Sequence, residues 1–239
     1  MIDIRPFETL GHADHGWLNA RHHFAFGGYR NAARSSWGKL RVWNDDEIAP
    51  GTGFDPHPHR DMEIITYVRE GAITHKDNLG NEGRTEAGDV QIMSAGTGIV
   101  HAEYNLEPVT TRIFQIWIMP DRSGEAPRWG AKSFPKADAG AGADGRFTLL
   151  ASGRPADAGT DALRLNADGA VLATTLAKGQ TATLPLGAGR GLYLVPARGR
   201  VTVNGLPVGE RSGAAIRNET ELRITAEEEA ELVLVEVAA

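Results

Sequence analysis

Two stretches of the chain, "REGAITHKDNLGNEGRTEAGDVQI" and "ARGRVTVNGLPVGERSGAAI", repeat one pattern. In each, a glycine (Gly71 or Gly199) opens a short run of β-formers, an Asn/Gly turn follows, and a second glycine (Gly88 or Gly213) opens the next run. Self-similarity on this scale predicts two copies of one β-domain. The remaining segments agree: "KLRVW", "EIITYV", "RIFQIWIM", "GLYLVPA" and "ELVLVEV" are short, rich in Val, Ile and aromatics, and bounded by turns, which is the pattern of an all-β sandwich or barrel. "DNLGNEG" reads as a hairpin loop. "AEEEAELVL" begins with helix formers but ends in a β-type run, and is read as turn then strand. A length of 239 residues accommodates two domains of about 100 residues each. Between Pro120 and Arg146 the composition shifts to Pro, Gly, Ala and Asp. The expected division is therefore 1–122, a linker over 123–145, and 146–239, with Trp129 and Phe134 packing part of the linker down.

Composition narrows the chemistry. There is no cysteine, so disulfides, zinc–thiolate sites and cysteine nucleophiles are excluded, and any metal must bind nitrogen and oxygen. The formal net charge is −6 with no basic block, which disfavours direct nucleic-acid binding. The first residues do not read as a signal peptide, and no apolar run is long enough to cross a bilayer. The expectation is a soluble, cytoplasmic protein.

All eight histidines lie in the first 101 residues. His57 and His59 in "FDPHPHRDMEIITY" are two apart, so on a strand they project from one face. His101 and Glu103 in "SAGTGIVHAEYN" stand in the same relation. Two neighbouring strands would aim three imidazoles and one carboxylate at one point, a donor set that suits Fe(II), Ni, Cu, Co, Mn or Zn. Glu63, in phase with the first pair, is open to three roles: ligand, acceptor for an imidazole N–H, or plain strand residue. Pro56 and Pro58 stiffen the backbone around His57. With Gly71 laid on Gly199, His57 falls on Pro185, His59 on Gly187 and Glu63 on Gly191, so the second copy has no histidine with which to repeat the site.

These residues resemble the cupin superfamily. Its first motif, G-x5-H-x-H-x3-E-x6-G, is matched by Gly51, His57, His59, Glu63 and Gly71 with one extra residue; its second, G-x5-P-x-G-x2-H-x3-N, is matched by Gly88, Gly96, His101 and Asn105, with Ser94 in place of proline. "HPHRDMEIITYV", "IMSAGTGIVHAEYN", "GHADHGWL", "LRVWNDD" and "FQIWIMP" are similar to the pirin family, and nearest to its bacterial members described as quercetin 2,3-dioxygenases. The resemblance covers the first 120 residues closely and the rest as a diverged second cupin. It implies a bicupin: two antiparallel, jelly-roll-like β-barrels facing each other, with one divalent transition metal, Fe(II) foremost, in the N-terminal barrel. The implied ligands are His57, His59, His101 and Glu103, which moves Glu63 outward.

The implied activity is cleavage of a flavonol such as quercetin with O2 and release of CO. Glu103 would serve both as ligand and as general base, and Phe54, Met93 and Tyr104 are pocket-wall candidates. The alternative is a regulatory or redox-sensing pirin that acts through a protein partner. Of the other polar residues, Asn44, Asp45 and Asp46 read as a turn or domain contact, His22 as a packing histidine, and His12 and His15 as family matches with no visible partner. His75 is expected at the surface.

Overall fold

The computed structural model describes residues 1–133 and 145–238, and they form two related β-sandwiches. The first has a seven-stranded sheet in the order Arg128–Ser133, Asp89–Ser94, Glu63–Glu70, Thr111–Ile118, Leu40–Ile48, Leu18–His22 and Gly11–Asp14. Facing it is a four-stranded sheet, Thr52–His59, Ile99–Asn105, Ala72–Asp77 and Glu82–Glu86. In the second half, Gly213–Arg217, Arg190–Arg198, Ala230–Ala238 and Gly169–Leu176 lie side by side in the same order as their counterparts in the first large sheet. Thr181–Pro185, Glu221–Ala226, Val201–Val203 and Leu206–Val208 repeat the small sheet. The duplication read from the glycine spacing is thus a duplication of topology. Gly71 and Gly199 both hold positive φ (74° and 75°) at the matching corner, where other residues would be strained. Each unit is an open, two-sheet jelly roll and not a closed barrel. No helix among the described residues is long and apolar enough to cross a membrane.

The two large sheets pack against each other, and this contact is the main core of the molecule. Trp43, Ile65, Tyr67, Phe114, Ile116 and Ile118 from the first sheet meet Val171, Tyr193, Val195, Val233, Val235 and Val237 from the second. The alternate residues of the same strands turn the other way, into each sandwich. In the second half these are Leu192, Leu194, Leu232 and Leu234, among other aliphatics. In the first half they include Thr66, Gln115, Asn44 and Asp46, all buried. Strands buried on both faces read as continuous apolar runs, which is why "RIFQIWIM" and "ELVLVEV" show so little alternation.

Two strands pair across the expected boundaries. Arg128–Ser133, inside the expected linker, is an edge strand paired antiparallel with Asp89–Ser94, Trp129 opposite Met93. Phe134 lies outside the described residues. Ile2–Arg5, expected in the first domain, pairs instead with Gly213–Arg217 of the second. Each half thereby caps the large sheet of the other with the strand that precedes it. Both exchanges satisfy backbone donors and acceptors that an open edge would leave exposed.

All five tryptophans precede residue 130, and Trp43 packs on Tyr193 and Trp37 under Arg217, so their fluorescence reports on the first half and on its contact with the second. Phe114→Ala, at a fully buried ring in the shared core, should cost about 3–5 kcal/mol. Tryptophan fluorescence and far-UV circular dichroism should still trace one coincident denaturant transition. A first half that melts apart from the second would contradict a shared core.

Candidate metal centre

The site is built on one strand pair of the small sheet. Thr52–His59 runs antiparallel to Ile99–Asn105, with His57 opposite His101 and His59 opposite Ile99. The register slips between His101 and Glu103, where Asp55 and Pro56 together face Ala102. Proline has no N–H to give the ladder, so a bulge there costs little. On the far side of the slip Gly53 makes the approach possible: a Cβ at this position would stand 2.2 Å from the Glu103 carbonyl oxygen.

Three imidazoles converge. Ring centroids lie 4.7 Å apart for His57 and His59, 4.5 Å for His57 and His101, and 5.0 Å for His59 and His101. One nitrogen of each lies within 4.8 Å of the others, close enough to share an ion. His57 Nδ1 is 2.7 Å from the Asp55 carbonyl oxygen. Only an N–H can satisfy a carbonyl, so Nδ1 carries the proton and Nε2 is bare. His101 Nε2 is buried and has no hydrogen-bond partner. An orphaned imidazole nitrogen beside two others is what a bound cation would satisfy. His59 and His101 are also held neutral: burial, followed by the His57 ring, pushes His59 down to about 4, and burial with His57, His59 and His75 pushes His101 down to about 2.

Glu103 lies inward on the same strand, fully buried, but in a different group. Its carboxylate shares a 4.8 Å neighbourhood with His101 and His75. Oε1 accepts from Gln91 Nε2 at 2.6 Å and Thr66 Oγ1 at 3.2 Å, and Oε2 from Gln115 Nε2 at 2.8 Å. Burial outweighs these three bonds and raises the carboxyl to about 7. Asp46, also buried, is pushed well above the usual carboxylate range by burial and by Asp45 and Glu103. Its Oδ1 has no partner.

A cavity of 230 Å3 adjoins the site, lined by His22, Phe26, Asn44, Asp46, Phe54 and Gln115 among others. Phe26 meets Trp117 edge-on at 5.5 Å, and Trp117 in turn lies 5.0 Å from the His59 ring. None of the three imidazoles lines this cavity or a larger cleft of 610 Å3 that has Asp121, Arg154, Asp157 and Arg164 in its walls, but the cavity meets the site through Phe54 and through Gln115, which bonds Glu103.

The other expected residues fall as follows. Phe54 lines the cavity with its ring 6.3 Å from His57. Met93 is buried with Ile64, Ala95 and Ile99 under Trp117 and Trp129. Glu63 Oε2 accepts from Ser94 Oγ at 2.7 Å and from the Asn166 amide at 3.0 Å, joining the two halves away from the histidine group. Tyr104 faces outward because it alternates with His101 and Glu103, and its hydroxyl donates to Asp55. Asp45 pairs with Arg69 and with Arg211 of the second half, a domain contact. His22 is buried against Asn44 at 2.8 Å, and His12 bonds Asn19 at 2.9 Å. His75, expected at the surface, is fully buried beside His101. The signal for it was present in "AITHKD", where Ile73, His75 and Asp77 alternate with Thr74 and Lys76.

The pirin family model matches residues 3–118, and a model for the quercetinase C-terminal cupin domain matches residues 149–237. The chain belongs to the pirin family. A pirin-like protein of Caulobacter vibrioides is 62% identical over the full length of both chains. The quercetin 2,3-dioxygenase of Escherichia coli K12 is 38% identical, over 98% of this chain and 97% of its own. Among solved structures, the bacterial pirin YhhW of E. coli in complex with nickel(II) superposes with a TM-score of 0.91 at 37% identity, covering 100% of this chain and 99% of that one.

Glu103 generates a pH test. A carboxyl whose folded value is raised from 4.5 to about 7 contributes its stability in full below 4.5 and loses it as the pH rises through 7, a change of about 3 kcal/mol. Denaturant titrations of metal-free protein between about pH 4.5 and pH 8 should show wild type losing roughly that much more than Glu103→Gln. Parallel pH profiles for the two proteins would mean that Glu103 does not carry the burial cost.

Proposed function

We propose that the protein is a metal-dependent dioxygenase that cleaves a flavonol such as quercetin with O2 and releases CO. The observation that carries the reading is the three-imidazole group, with the unpaired His101 Nε2, set beside a cavity bordered by Phe26 and Phe54. His57, His59 and His101 would hold one divalent transition metal, with Glu103 as fourth ligand. Fe(II) is the proposed native ion, and the nickel in the E. coli neighbour supports a site that accepts late first-row ions. The bound ion would supply an open position and the positive charge that lowers the pKa of a coordinated hydroxyl.

The chain's own residues do the rest. Glu103, buried beside His101, would take the proton of the flavonol 3-hydroxyl onto a carboxylate oxygen. Gln91 and Gln115 hold that carboxylate in place from two sides. Phe26 and Phe54 offer apolar faces to the aromatic rings and keep water from the reacting carbon. The 230 Å3 cavity is below the ~300–1,000 Å3 of pockets that enclose whole drug-sized ligands, so one ring system enters and the remainder lies in the mouth. Among the described residues the second half has no such cluster: its strand equivalent to Ile99–Asn105 turns Leu222, Ile224 and Ala226 inward. The cysteine-free composition supports a cytoplasmic location.

The test is O2 uptake and CO release with quercetin, using metal-reconstituted protein against a His57→Ala, His59→Ala double variant. Turnover should be present in the first and absent in the second. Turnover no greater than the variant's would sink the enzymatic reading and leave the regulatory one. Glu103→Gln should lower kcat by about 10^2- to 10^4-fold while the folded protein still binds quercetin. An unchanged kcat would remove Glu103 as the base.

A further inference from the structure

His101 does not stand alone behind the site. Its Nδ1 lies 3.3 Å from Nδ1 of His75, and His75 Nε2 lies 2.9 Å from Oδ2 of Asp77. Asp77 is itself anchored: Oδ1 accepts from the backbone amides of Leu79 (2.9 Å) and Asn81 (3.0 Å), and Oδ2 from Asn81 Nδ2 (2.9 Å). The hairpin loop after Ala72–Asp77 therefore exists in the form that fixes this carboxylate. Trp129, from the edge strand Arg128–Ser133, stacks flat on the His75 ring at 4.9 Å and 10°. Gly83 leaves room for the indole, since a Cβ there would come within 2.2 Å of it. His75 is fully buried.

The proton positions follow from what each atom can do. A carboxylate only accepts, so His75 must present Nε2–H to Asp77. Neutral His75 then has a bare Nδ1, which can only accept. Among the described residues the donor facing it is His101, which must carry its proton on Nδ1. That leaves His101 Nε2 with a lone pair, and Nε2 is the buried atom with no partner.

We propose that Asp77 and His75 form a positioning relay that holds His101 in its Nδ1–H tautomer and so presents Nε2 to a divalent cation. The proposal rests on the metal-centre reading given above. His75 and Asp77 touch neither ion nor substrate; they act through His101. Such outer partners orient the imidazole and raise its basicity, and losing one typically weakens metal binding about 10- to 100-fold.

The first test uses metal-free wild-type protein with 15N-labelled histidine. Two-bond 1H–15N correlations should show His101 protonated on Nδ1 and His75 protonated on Nε2. His101 protonated on Nε2 would overturn the relay, whatever any variant does. The second test is Ni2+ affinity by chelator competition, with folding checked by circular dichroism. His75→Leu fills the space and accepts nothing, and should bind Ni2+ about 10- to 100-fold more weakly. His75→Asn places an amide oxygen near the lost Nδ1 and should recover most of that loss; His75→Gln, whose amide reaches toward Asp77, should not. Wild-type affinity in His75→Leu would overturn the proposal. So would two Ni2+ per chain in wild type and one in His75→Leu, because His75, His101 and Glu103 would then be a second cation pocket. If wild type binds no Ni2+, the metal-centre reading fails, and the tautomer measurement still decides the relay by itself.

Discussion

The packing of one seven-stranded sheet against the other is the constraint on which the remaining structure depends. It places Trp43, Phe114 and Ile116 against Tyr193, Val233 and Val235 in a single apolar layer. Every central strand of the first large sheet is thereby buried on both faces, with one face given to the partner sheet and the other to the interior of its own sandwich. An interior of that kind contains little water, so each polar group in it needs a protein partner or bears a desolvation cost. The raised values of Glu103 and Asp46 and the lowered value of His101 are consequences of this geometry, with burial the leading cause of each.

The two halves show what the same framework does with different side chains. In the second, the inward positions hold Leu, Val, Ile and Ala, and the sandwich closes on an ordinary apolar core. In the first, Thr66, Gln91, Gln115 and Glu103 form a connected hydrogen-bond network, and Asp46 Oδ1 and His101 Nε2 are left unpaired. An unsatisfied buried polar atom costs roughly 1–3 kcal/mol. Among the described residues the first half carries nearly all of that cost, with Arg190 Nη2 the single such atom in the second half, so the apolar copy supports the polar one.

Much of this was legible in the chain and some was not, for identifiable reasons. The duplication was readable because turn glycines recur at matching corners, and a positive φ at Gly71 and Gly199 restricts what can replace them. The H-x-H and H-x-E pairs were readable because a period of two is a local property of a strand. Which face is inward is not local. Tyr104 looked like a pocket residue by its nearness in sequence to Glu103, yet adjacency on a strand means opposite faces. His75 looked like a surface residue because it follows a turn, although its parity with Ile73 already placed it inside. The strands Ile2–Arg5 and Arg128–Ser133 were the least readable, because an edge strand is defined by a partner far away in sequence.

Those exchanged strands also bear on the centre itself. Arg128 donates through Nη1 to Asn166 Oδ1 at 3.1 Å and through Nη2 to the Arg164 carbonyl at 2.6 Å, both in the second half. The next residue, Trp129, lies on His75. Asn166 returns its amide to Glu63, which also holds Ser94, the partner of Arg128 across the strand pair. The contacts that orient the imidazoles from behind thus run to the half that has no histidine. A centre assembled in the first half alone would lose the anchor of the strand that covers His75. The second sandwich is therefore part of the site's architecture even though none of its residues lies among the imidazoles.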